Sequence, residues 1–147
     1  MRKIQTILNP ERYQGHRAQA PYFEGWYFKL ISADRTQRYA VIPGISLSDT
    51  RDGPHSFIQV LDGNSGETAY YRFPLDAFTA SRDKFAVTIG QNHFAETSLR
   101  LNLVGGAIDL QGEVKFGNTK PWPVTLVNPG IMGWYAWVPR MECYHGV

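Results

Sequence analysis

From Tyr22 onward the chain reads as short runs of alternating apolar and polar residues, cut by Gly, Pro, Asn or Asp at roughly ten-residue intervals. Successive side chains of a strand point to opposite faces, so such alternation suits strands with one buried and one wet face. Strands are predicted over residues 22–31, 38–42 (ending at Pro43-Gly44), 55–61, 68–73, 85–89, 99–104, 107–116 and 124–127, followed by aromatic runs over 134–138 and 142–147. Asp62-Gly63-Asn64-Ser65-Gly66 and Gly105-Gly106 each stand between alternating runs and predict hairpin turns. Gly90-Gln91-Asn92 closes the 85–89 run. No window of about 12 residues carries a helical period. Many short strands with closely spaced turns predict an all-β fold, an antiparallel barrel or sandwich. Residues 1–20 are polar and irregular, and are expected to lie over the surface or plug one end.

Composition narrows the function classes. With 147 residues the chain fits one domain with a real core, and 14% aromatic against 19% charged residues excludes a disordered segment. The net charge is +2 and Lys and Arg are scattered singly, so no nucleic-acid partner is expected. One cysteine, Cys143, excludes an internal disulfide framework, fits a reducing compartment and reads as an inert buried thiol. No apolar segment follows Met1-Arg2-Lys3 and no run approaches about 18 apolar residues, so neither a secretory signal nor a spanning helix is predicted. The expectation is a cytoplasmic protein, with peripheral contact to a membrane left open. An aromatic-rich interior suits an apolar ligand. The sequence stops at Val147 inside an apolar-aromatic run, where a strand edge would stay unpaired, and part of a longer protein is expected.

Two segments are the most distinctive: Tyr22-Phe23-Glu24-Gly25-Trp26-Tyr27-Phe28-Lys29 and the long run from Pro129-Gly130-Ile131-Met132-Gly133-Trp134-Tyr135-Ala136-Trp137-Val138 through Pro139-Arg140-Met141-Glu142-Cys143-Tyr144-His145-Gly146. Both resemble signature segments of the tocopherol cyclase family in its bacterial branch. Pro43-Gly44-Ile45-Ser46 and His55-Ser56-Phe57-Ile58-Gln59-Val60-Leu61-Asp62-Gly63 resemble the same family's N-terminal half. The resemblance covers nearly all of the chain from Pro21 onward. It implies a lipocalin-like β-barrel over residues 21–147, one half of a two-barrel protein, with the second half missing. It also implies an isomerase-type reaction, the cyclisation of a prenylated benzoquinol to a chromanol.

That reaction protonates a trisubstituted alkene, so positive charge develops at a tertiary carbon before a phenol oxygen adds. It needs a protonated acid in a dry cavity and aromatic faces for the cation, and no cofactor or metal. Burial can keep a carboxyl protonated near neutral pH, and an aromatic face contributes about 0.5–2 kcal/mol to a nearby cation. Glu24 is the leading candidate acid: on a strand it shares a face with Tyr22, Trp26, Phe28 and Leu30. The alternative is a structural Glu bonded to a backbone turn or an Arg. Glu142 and His145 are a second candidate pair, but on a regular strand they face opposite ways unless a bulge follows Pro139. Glu142 paired with Arg140 or a Lys, and a satisfied core or interface histidine at 145, are the plainer readings. Trp26, Phe28, Trp134, Tyr135, Trp137 and Tyr144 are candidates to line the substrate cavity; plain core is the competing reading, and in a barrel the two overlap.

His16, His55 and His93 are isolated, without metal-ligand spacing. Gly44-Ile45-Ser46-Leu47-Ser48 lacks the second glycine of a nucleophile elbow. Three activities stay open: the cyclase, a non-catalytic lipid or isoprenoid carrier with the same fold, and a hydratase in which water captures the cation. A carrier needs no carboxyl inside its cavity, so the placement of Glu24 discriminates between them.

Overall fold

The computed structural model describes residues 11–117 together with Asn9, Lys120 and Thr125. Its strands are β1 (Tyr22–Gly25), β2 (Phe28–Ile31), β3 (Arg38–Leu47), β4 (His55–Asp62), β5 (Thr68–Phe73), β6 (Phe78–Ala80), β7 (Ala86–Ile89), β8 (Asn92–Ala95), β9 (Ser98–Leu103) and β10 (Leu110–Lys115). They form two five-stranded antiparallel sheets, one with β3–β4–β5 flanked by β1 and β2, the other in the order β10-β9-β8-β7-β6. The expected all-β antiparallel architecture is present. The described residues form two open sheets and no closed barrel.

The predicted strand over 22–31 is two strands, β1 and β2, and the break has a chemical cause. Gly25 opposes Gly44 and Phe28 opposes Val41, so the register is unchanged across the gap and Trp26 faces Pro43. Trp26 N donates to Pro43 O at 3.0 Å. Proline has no N–H to return the bond, and the ladder is interrupted there. The sequence pattern also ends the strand beginning at Arg38 at this proline. Instead β3 runs through Pro43-Gly44 to Leu47, because β4 pairs with its other side from Tyr39 to Ser46 and holds it extended.

Two hairpins show where turn chemistry is local and where it is overridden. At residues 62–66, Asp62 Oδ1 accepts from Asn64 N at 2.7 Å and Gly66 takes φ 76°, so the turn forms as its sequence dictates. The Asn64 N–H holds the Asp62 carboxyl below its usual range. The Gly105-Gly106 connection is longer than two residues: β9 ends at Leu103 and β10 starts at Leu110, its partner. Tyr71 of the other sheet donates its hydroxyl to Ile108 O at 2.5 Å, and Ile108 is buried in the core. A Cβ on Gly106 would collide with the Tyr71 hydroxyl, so only glycine fits under that ring.

β6 and β8 have no counterpart in the alternation pattern, being too short to display it. β8 is anchored by Asn92, nearly inaccessible, whose Nδ2 donates to Ile89 O at 3.1 Å and whose Oδ1 accepts Asn102 N at 2.7 Å. The core lies between the sheets: Val41, Ile58, Val60 and Ala69 from the first meet Val87, Ile89, Phe94, Leu99, Leu101 and Leu103 from the second. Burial of each large apolar side chain there stabilises the fold by about 1.5–3 kcal/mol. Among the described residues no helix is long and apolar enough to cross a membrane.

Candidate functional site

Alternation and register put Tyr22, Glu24, Trp26, Phe28 and Leu30 on the face of the first sheet that looks toward the second. Phe28 reaches into the core, with ring centroids 5.6 Å from Phe94, 6.0 Å from Phe85 and 6.1 Å from Phe116. Trp26 lies 5.6 Å from Phe85. Glu24 is nearer the end of that face and is partly buried.

The segment before β1 crosses this end of the sheet. Gln14 N donates to both Glu24 carboxyl oxygens at 3.1 Å, and Gly15 N donates to one of them at 3.2 Å. The Tyr22 hydroxyl donates to the same carboxyl through a short hydrogen bond. Trp26 Nε1 donates to Glu11 O at 2.9 Å. Tyr13 completes the arrangement, with its ring 5.0 Å from Phe78, 6.2 Å from Trp26 and 4.7 Å from the His16 ring. Burial, and then the Glu24 charge, push the Tyr13 phenol up to about 12, so it keeps its proton across the neutral range. Gly15 is required for the close approach: a Cβ there would collide with the Tyr22 ring and lie 2.5 Å from the Tyr13 hydroxyl.

The structure therefore brings together one carboxyl, two phenols and an indole, with core aromatic rings behind them. The sequence pattern singles out Glu24, Trp26 and Phe28 and puts Tyr22 on their face, but it does not point to Tyr13 or the Gln14-Gly15 backbone. Tyr13 stands in a polar, irregular segment with no period to place it, and backbone donors leave no trace in composition. Glu142, His145, Trp134, Tyr135, Trp137 and Tyr144 lie outside the described residues.

An open depression on the second sheet is lined by His93, Ser98, Arg100 and Glu113. These are neighbours in register, with Arg100 and Glu113 exposed and 3.8 Å apart. They read as a solvated strand face whose charges offset each other, and the cluster around Glu24 remains the candidate site. Among the described residues no group of three His, Cys, Asp or Glu side chains is placed to hold a metal ion. Comparison with protein-family models, curated proteins and solved structures returns no match.

Proposed function

We propose that the chain is a tocopherol cyclase-type protein that closes a prenylated benzoquinol to a chromanol, with Glu24 as the acid. The observation that carries this reading is the meeting of Glu24 with the Tyr22 hydroxyl beside Tyr13 and Trp26. In the proposed step the Gln14 and Gly15 N–H groups, which favour the charged form of Glu24, withdraw as the quinol enters. The carboxyl then takes up a proton and gives it to the less substituted alkene carbon, leaving a tertiary cation. The quinol oxygen adds to that cation, a C–O bond forms, and the phenol proton returns to the carboxylate. No atom or electron is gained or lost, so no cofactor is consumed. Trp26, Phe28 and the Phe85 ring behind them offer aromatic faces to the cation. Tyr22 orients the carboxyl, and Tyr13, protonated at working pH, excludes water from it. In the same reading the two sheets are parts of a lipocalin-like barrel, one of a pair, and Glu142 and His145 belong to the same reaction.

A second reading is favoured by one observation: the backbone N–H groups of Gln14 and Gly15 both aim at Glu24. A carboxyl held this way can serve as a latch for the preceding segment, and the protein is then an isoprenoid carrier. One experiment separates the two. Purified protein in detergent micelles is given a reduced phytyl benzoquinol, and chromanol is measured by chiral chromatography with mass detection, for wild type and Glu24→Gln. Enantiomerically enriched chromanol lost in Glu24→Gln supports the cyclase. Quinol binding without chromanol, read from tryptophan fluorescence, supports the carrier and overturns the cyclase for this substrate.

A further inference from the structure

The outer face of the first sheet does not look like a face meant for water alone. By register it carries Phe23, Tyr27, Lys29 and Ile31 on β1, β2 and the link between them, Arg38 on β3, His55, Phe57 and Leu61 on β4, and Tyr70 and Arg72 on β5. Five of the seven large apolar side chains exposed among the described residues stand here, with Phe23 at 66%, Tyr27 at 64% and Tyr70 at 53% exposure. Three of the rings form a tiled row: Phe57 stacks between Phe23 at 5.6 Å and Tyr70 at 5.3 Å, with interplanar angles of 17° and 15°. The row is seated on glycine, because a Cβ on Gly44 would collide with the Phe57 ring. His55 fixes one end, with Nε2 2.8 Å from the Tyr70 hydroxyl and Nδ1 2.9 Å from Gly53 O. The platform is built and rigid rather than a scatter of surface hydrophobes.

Charge says what it meets. Every charged side chain that the register places on this face is a cation (Lys29, Arg38 and Arg72), and all three are exposed. Carboxylates flank it at the two ends, Asp34, Asp62 (the last residue of β4) and Glu67 at one and Asp49 and Asp52, the latter near Tyr70, at the other. Aromatic rings amid exposed Lys and Arg match the boundary of an anionic bilayer, where amphipathic rings sit at headgroup level and cations meet lipid phosphates. We propose that this face docks the protein on an anionic lipid surface, with Phe23, Tyr27 and Tyr70 entering the headgroup layer and Lys29, Arg38 and Arg72 contacting phosphate. A protein partner or a second copy would be expected to bring carboxylates to the three cations, and the face offers none to a copy of itself. The docking does not depend on any reaction at Glu24, and its test contains no quinol.

The test is co-sedimentation of the purified chain with vesicles of phosphatidylcholine, and with an equimolar mixture of phosphatidylcholine and phosphatidylglycerol. Binding is expected to the mixed vesicles, weak to the neutral ones, and reversed at about 1 M salt, where the Debye length falls to about 3 Å. Lys29→Ala with Arg72→Ala should weaken partition roughly thirtyfold, at about 1 kcal/mol per cation. Phe23→Ser should weaken it roughly tenfold, about 1.4 kcal/mol, near half the value of full burial of the ring. All these residues are exposed, Arg72 also donates to Asp52 O, and cooperative melting curves confirm that the variants fold. Arg100→Ala on the second sheet is the control and should leave partition unchanged. Equal binding to both vesicles, no binding to either, or binding indifferent to the first-sheet variants overturns the proposal. Self-association that Phe23→Ser abolishes, seen by sedimentation velocity without lipid, overturns it in favour of a second copy as the occupant.

Discussion

Gly44→Ala tests how tightly the strand that carries Glu24 is packed against its neighbour. A Cβ on Gly44 would collide with Cζ of Phe57 and lie 2.8 Å from the backbone oxygen of Glu24. The first contact can be relieved only by moving a ring that is 3% exposed and stacked on both sides. The second is with backbone and cannot be relieved by a rotamer change. Overpacking of this kind costs about 1–3 kcal/mol. With a urea slope of about 1–3 kcal/mol per molar, the unfolding midpoint should fall by roughly 1 M with the slope unchanged. Phe57→Ala, which empties the space above Gly44, should absorb part of the Gly44→Ala penalty, giving a coupling of at least about 0.5 kcal/mol. The remainder persists because the Glu24 oxygen is still there. Gly117→Ala is the control, since nothing lies within 4 Å of its added Cβ, and it should change stability by no more than about 0.5 kcal/mol. A Gly44→Ala midpoint equal to wild type would refute the packing account of β1 on β3.

Three further outcomes follow from the same structure. Asn92→Ala should destabilise by about 2 kcal/mol or more in urea melts, because it strands Ile89 O and Asn102 N at about 1–3 kcal/mol for each orphaned group; a neutral result would mean that water replaces the amide. Glu24→Ala should release the Gln14 and Gly15 amides, seen as faster hydrogen exchange at those two positions while the Leu99–Leu103 amides keep their protection. Asp34 is held down at about 2 by the Ser32 hydroxyl and then by the Thr36 N–H and hydroxyl. A depressed carboxyl stabilises the fold above its unfolded value of 3.8 and loses that contribution as pH falls toward about 2. The stability gap between wild type and Asp34→Asn should therefore close across that window, and a gap independent of pH would count against the assignment.

The 55–73 hairpin is legible residue by residue. Residues 55–61 and 68–73 alternate, Asp62-Gly63-Asn64-Ser65-Gly66 stands between them, and β4 and β5 form with Leu61 opposite Thr68. That information is local: the period is set by strand geometry, and the turn by an Asp side chain on its own backbone and a glycine at positive φ. The all-β class and Glu24's company with Tyr22, Trp26 and Phe28 follow from the same period. Other features depend on partners far along the chain. Whether Pro43 ends a strand or interrupts its neighbour depends on β4 pairing along its other side. The Gly105-Gly106 connection is set by Tyr71, from the opposite sheet. Which face is interior is decided only when two sheets meet: Phe28 goes inward to Phe94, while Phe57, equally apolar, is buried on the outer face between Phe23 and Tyr70. Tyr13, Gln14 and Gly15 reach Glu24 because an irregular segment has no preferred direction until a carboxyl and a ring give it one. Alternation along the chain thus determines which residues share a face, and only tertiary packing determines what that face meets.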